Sequence, residues 1–175
     1  DTLTLDKPGL VLLGQRQLDF LNDWGQDWTG AEMKTVLSQT TFACVPHMHG
    51  SLTGRQVANL DSNGWPQTPR NNALREIRRA KALHVCGDQH LASVVKYGID
   101  EFGDAAYAFT VAAGFNSIFY RLWHPEDETA GPNPREATTL PWTGDFLDGF
   151  QNRISMLAYA NPTVPEGATK PSRGT

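Results

Sequence analysis

The eight residues Leu83-His84-Val85-Cys86-Gly87-Asp88-Gln89-His90 constrain this chain most. A short apolar run with β-branched content reads as a buried strand. It stops at a glycine, and an acid and an imidazole follow two residues apart. In open α/β sheets, ligands collect where strands end at their carboxyl termini. Asp88 and His90 are therefore placed to reach one cation or one phosphate.

The flanking pattern supplies the layers. Thr2 to Leu5 and Leu10 to Leu13 read as extended. A helix is expected from Gly14 to about Trp28, with Gly30 as its stop, and its aromatic stripe reads as core packing. Lys34 to Phe42 is β-rich and short, hence a strand. Thr68 as N-cap and Pro69 at the first helical position open a helix to about Ala80. Strand, helix and the Leu83 strand then follow in an order that suits an α/β layer with the helix laid across the sheet. Leu91 to Tyr97 and Ala106 to Ala112 form a predicted hairpin, and Arg153 to Tyr159 a last strand.

Three irregular stretches remain. Ala43 to Leu60 is a long loop holding His47-Met48-His49, two imidazoles spaced to share a metal or simply a surface pair. Asn59 to Gln67 is polar and anchored by Trp65-Pro66, a rigid wedge; Asp61 and Asn63 on it are candidate oxygen ligands. Ala113 to Gly149 is rich in glycine, proline and aromatic residues, able to fold back as a cover through Phe115, Phe119, Tyr120, Trp123 and Trp142. Pro162 to Thr175 has the composition of a flexible tail, and both ends read as cuts within or beside a larger protein.

Composition narrows the classes. With 175 residues the chain suits one domain with a real core, and 39% apolar against 19% charged residues argues against general disorder. A net charge of −4 gives no nucleic-acid footprint, and Arg75, Arg78, Arg79 and Lys81 read as the solvated face of a helix. No apolar run reaches the length of a membrane span. Cys44 and Cys86 make no disulfide framework or paired zinc spacing and read as buried thiols. His84 reads as a satisfied core or supporting residue, and His124 as exposed. Nucleophile-elbow, phosphate-loop and dinucleotide motifs are absent.

Hard oxygen donors and imidazoles at strand ends are what metal-assisted phosphoester hydrolysis requires, since the ion polarises the phosphoryl group and deprotonates a bound water. Leu37-Ser38-Gln39-Thr40, then Asp61-Ser62-Asn63-Gly64-Trp65-Pro66-Gln67, Arg70 and Gly87-Asp88-Gln89-His90, succeed one another in an order that resembles the PhoD-like (alkaline phosphatase D) branch of the calcineurin-like metallophosphoesterases. Leu13 to Leu21 also resembles that family's entry into this region, so the likeness spans roughly residues 10 to 125.

The resemblance implies an α/β fold, half of an αββα sandwich with a mixed sheet and flanking helices. It implies hydrolysis of phosphate mono- or diesters, often in an exported (periplasmic, cell-surface or secreted) protein, at ions drawn from iron, calcium, zinc and manganese. Asp88, His90 and Asp61 then correspond to metal positions, with His90 also facing the phosphoryl group. Asn63, Trp65 and Arg70 correspond to the pocket wall, and His47 and His49 are additional metal candidates. None of the family's Asp-x-His/Cys, Gly-Asp-x-x-Asp and Gly-Asn-His-Asp/Glu motifs, which normally precede this segment, lies ahead of it in the chain. Residues 1–161 accordingly resemble a carboxy-terminal half that expects an upstream half as partner. The alternatives are a non-catalytic binding or scaffold domain of the same fold, and a β-rich carbohydrate-binding module using Trp123 and Trp142.

Overall fold

The computed structural model describes residues 6–45, 63–112, 121–123, 125 and 142–161, together with the backbone of 48–49 and 52–53. In chain order the elements are α1 (Gln15–Gln26), β1 (Thr35–Thr40), β2 (Met48–His49), β3 (Leu52–Thr53), α2 (Gln67–Arg79) and β4 (Leu83–Gly87). There follow β5 (Ala92–Tyr97), β6 (Tyr107–Thr110), β7 (Arg121–Leu122), β8 (Gly144–Leu147) and β9 (Arg153–Ala160). Residues 2–5 and the tail 162–175 lie outside the described residues, and Leu10–Leu13 forms no strand.

Six strands build one mixed sheet in the order β1-β4-β6-β5-β9-β8. β1, β4 and β6 run parallel, while β5, β9 and β8 join antiparallel. The chain is thus mixed α/β, with α2 as the crossover between parallel neighbours β1 and β4. The predicted hairpin is present as β5 and β6. The region expected to be a loop after Ala43 instead contributes β2 and β3, which join β7 in a small second sheet. β8 also arises within a stretch that lacks periodicity. Two-residue strands are too short for alternation to register in a sequence, and β8 lies in a glycine- and proline-rich stretch; their partners define them.

One sheet face is covered. Ala73, Leu74, Ile77 and Ala80 of the α2 region pack on Val95, Tyr97, Ala108, Ile154 and Met156. α1 lies against α2 so closely that a Cβ on Gly25 would sit 3.2 Å from the Ala80 Cβ. The opposite face carries exposed apolar side chains. The register aligns Leu37, Val85, Phe109 and Val94 across four neighbouring strands, and Leu37 is 77% exposed, Val111 59% and Phe109 41%. Strands in parallel sheets are ordinarily apolar on both faces because both are covered.

Both helix boundaries differ from the sequence reading. α1 ends at Gln26, not Trp28, and Gly30 lies beyond its end. The Asp27 carboxylate accepts the Thr29 N–H at 2.9 Å, a local turn that competes with the helix. The Lys34 ammonium donates to the Trp24 and Gly25 carbonyls and sits 4.5 Å from the Trp28 ring centre. Of the aromatic stripe, Trp24 packs against the core, whereas Trp28 is exposed; Phe20, off the stripe, is exposed too. α2 begins two residues early, at Gln67, with Pro66 in the capping place. The Thr68 N–H and hydroxyl bind the Asp6 carboxylate at 3.1 and 2.7 Å, so Thr68 is not the cap. Pro69 still falls in the first turn, where an N–H has no helical partner.

Candidate functional site

Parallel strand β4 ends in a backbone feature that its sequence does not announce. The Gln89 N–H donates to the Gly87 carbonyl at 2.8 Å, closing a three-residue turn around Asp88. Asp88 has φ 65° and His90 φ 54°, two left-handed residues without the freedom of glycine, flanking one residue. Such backbone persists only where surroundings over-determine it, and it concentrates at functional sites. Both side chains are half-buried at the carboxyl end of the strand, while Gln89 between them is 1% exposed.

Gln89 joins this turn to the other predicted loop. Its Oε1 accepts the Val45 N–H at 3.2 Å, and its Nε2 donates to Asn63 Oδ1, which also accepts the Thr40 hydroxyl. The loop with Asn63 therefore does lie against the strand-end turn. Asn63 is buried, and the oxygen proposed as a ligand is committed to Gln89 and Thr40. Trp65 is half-buried and forms a cis bond with Pro66.

Arg70 does not face a crevice. It is 1% exposed; Nε donates to the Phe42 carbonyl at 2.9 Å, and Nη1 to the Gly98 carbonyl and Asn71 Oδ1, both at 2.8 Å. Burial holds its pKa down to about 10. Arg70 is thus a clasp beneath the wall, because planar guanidinium donors suit several fixed carbonyls.

Asp61 and His47 lie outside the described residues, and of His49 the backbone alone is described. That backbone is informative: His49 on β2 pairs with Arg121 on β7, and the Arg121 N–H donates to the His90 carbonyl at 3.3 Å. The small sheet thus brings the backbone of Met48–His49 alongside the strand-end turn.

Asp148 and Asn152 escaped the sequence reading. Asp148 is buried, and its two oxygens accept from the N–H groups of Cys44, Phe150 and Asn152 at 2.8–2.9 Å and from Asn152 Nδ2 at 2.9 Å. Asn152 Nδ2 also donates to the Gly64 carbonyl at 2.8 Å. Gly64 has φ 92°, and a Cβ there would come within 2.8 Å of Asn152 Nδ2 and 3.0 Å of Asp148 Oδ2, so glycine is required. Burial raises the Asp148 pKa, while Arg70 draws it back. Asp-Gly-x-x-Asn after a short strand was the available signal, and it reads as an ordinary turn.

Supporting residues account for the other titratable candidates. His84 is buried, bonded to Ser38 Oγ at 2.6 Å and Tyr97 Oη at 2.9 Å, and is the satisfied core residue expected. Both cysteines are free and buried, and burial raises the Cys86 pKa. Trp123 is fully buried and its indole N–H donates to the Trp142 carbonyl at 2.9 Å. Arg75, Arg78 and Arg79 lie 3.8, 3.2 and 2.9 Å from carboxylates of Asp100, Asp104 and Glu76, in keeping with a solvated helix face. A groove of about 410 Å³ between α1 and α2 includes Arg75 and Arg79 in its wall and no residue of the strand-end turn.

A carboxylate and an imidazole suit a hard or borderline cation. Among the described residues, however, no three of His, Cys, Asp and Glu converge on one point. Asp88 and His90 do not complete a metal centre there, and an ion would need donors from beyond the described residues. No described helix is long and apolar enough to cross a membrane. Compared with known proteins, the chain matches no protein-family profile, no curated sequence and no solved structure.

Proposed function

We propose that this chain forms one wall of a phosphate mono- or diester hydrolase of the PhoD-like type. The reading is supported by one observation above others: an acid and an imidazole in left-handed backbone at the carboxyl end of a parallel strand. A bound metal would supply a polarised phosphoryl group and a hydroxide at neutral pH. Of this chain's own groups, Asp88 offers the acceptor oxygens. His90 is the general acid for the leaving alkoxide or a hydrogen-bond donor to a phosphoryl oxygen. Asn63, Arg70 and Asp148 keep the loops in place.

The partner in this reading is an upstream half carrying the remaining ligands. The sheet face carrying Leu37, Val85, Phe109 and Val111 supports a further layer. The same face supports the second reading, a scaffold domain of this fold without catalysis. In the parent protein with both halves, Asp88→Asn is expected to lower turnover of bis(p-nitrophenyl) phosphate and p-nitrophenyl phosphate by orders of magnitude. Unchanged turnover would reject the hydrolase reading; an intact fold that binds no metal and hydrolyses neither substrate would favour the scaffold.

A further inference from the structure

We infer that Gln89 is a positioning residue: its buried amide, held by Asn63 and Val45, is what keeps Asp88 and His90 in left-handed backbone and turned to the mouth of the sheet. The inference rests on the hydrolase reading only for its consequence in turnover. The geometry stands by itself.

Asp88 and His90 each occupy a region that side chains with a Cβ rarely adopt. The single bond that closes the turn, Gln89 N–H to the Gly87 carbonyl, leaves unexplained why two non-glycine residues tolerate it. The residue between them supplies the reason. A glutamine on a strand-end turn would ordinarily point to water, yet this one is 1% exposed. Both ends of its amide are engaged, Oε1 by the Val45 N–H and Nε2 by Asn63 Oδ1.

Turning residue 89 inward leaves residues 88 and 90 at the half-buried rim. The amide also bridges three separate segments, the exit of β1, the loop before α2 and the end of β4, so it sets how the two loops sit against each other. An apolar side chain would accept the burial but would strand the Val45 N–H and deprive Asn63 of a donor. Gln89 touches no reacting group; it acts through its neighbours.

The test is solution NMR on the full chain, reading φ at Asp88 and His90 from three-bond couplings. Gln89→Met keeps length and burial and removes both amide groups; Asn63→Ala leaves Gln89 in place and removes its acceptor. Both variants are expected to move φ at 88 and 90 to negative values, while amide exchange protection in β4 and β6 stays near the wild-type level. A role confined to stability would lower that protection and leave φ positive. Positive φ at both residues in a folded Gln89→Met protein overturns the inference, and if that variant does not fold, Asn63→Ala decides it in the same way.

In the parent protein, Gln89→Met is expected to lower kcat about 100-fold with little change in KM, the scale of an ångström-sized misplacement. Lost φ values in a protein whose wild type cleaves no phosphoester uphold the positioning and reject the hydrolase. Retained φ values with full turnover in the variant reject the positioning alone.

Discussion

Acid should weaken this fold through His84, and the size of the effect can be worked out. The Ser38 hydroxyl donates to the Thr40 carbonyl at 2.6 Å, so the 2.6 Å contact with His84 requires the imidazole Nε2–H to donate to Ser38. Nδ1 is then the acceptor for the Tyr97 hydroxyl, whose oxygen already receives the Phe42 N–H at 2.9 Å. A second proton on the ring would place a charge in a fully buried site next to Phe42. Burial accordingly depresses the His84 pKa from 6.5 to about 4.

The unfolded chain takes up that proton below about pH 6.5 and the native state does not until about pH 4. Stability from this group is therefore level above 6.5 and falls through the interval below it. At 1.36 kcal/mol per unit, the full loss is about 3 kcal/mol, with about 2 kcal/mol gone at pH 5. Urea denaturation at pH 7.5, 6.0, 5.0 and 4.5 measures it, with His84→Gln as reference. A glutamine amide can donate to Ser38 and accept from Tyr97 without titrating. Asp148 titrates in the opposite sense, its raised pKa favouring the native state as pH falls, but it is common to both proteins and drops out of the difference. The stability gap between wild type and His84→Gln should shift by about 2 kcal/mol against the wild type between pH 7.5 and 5.0. A gap independent of pH would refute the reasoning.

Two further outcomes are expected. Asp148→Ala leaves the buried N–H groups of Cys44, Phe150 and Asn152 without their acceptor; by urea denaturation it should cost about 3 kcal/mol or more, as for several buried donors left unpaired. Lys34→Met removes the donor to the last carbonyls of α1 and the cation over Trp24 and Trp28, so stability should fall by about 1–2 kcal/mol, with a change in tryptophan fluorescence that an effect elsewhere would not produce.

The legible parts of this chain are those with a period. Leu74 and Ile77, spaced three apart, specify the buried face of α2. The alternation of β5 and β9 specifies their sheet register, and Gly87 marks where β4 must stop. β2, β3 and β7 carried no such signal, because two residues cannot display a period and β2 meets β7 only from a distant part of the chain; β8 is defined by its pairing with β9. Arg70 illustrates a different limit. A charged residue near a polar loop suggests a ligand-facing role, yet its Nε and Nη1 donate to carbonyls of Phe42 and Gly98 that only the folded chain brings together. Asp148 looks like a turn former in sequence and becomes a buried clasp once Cys44 and Gly64 arrive beside it.

Local propensity and burial periodicity are enough for the order of layers: a helix lies between two strands, and an acid and an imidazole follow the second. Tertiary structure decided how those two residues are presented. The left-handed backbone at Asp88 and His90 coincides with contacts that Gln89 makes to Val45 and Asn63, 44 and 26 residues away, and no local preference of Asp, Gln or His specifies it.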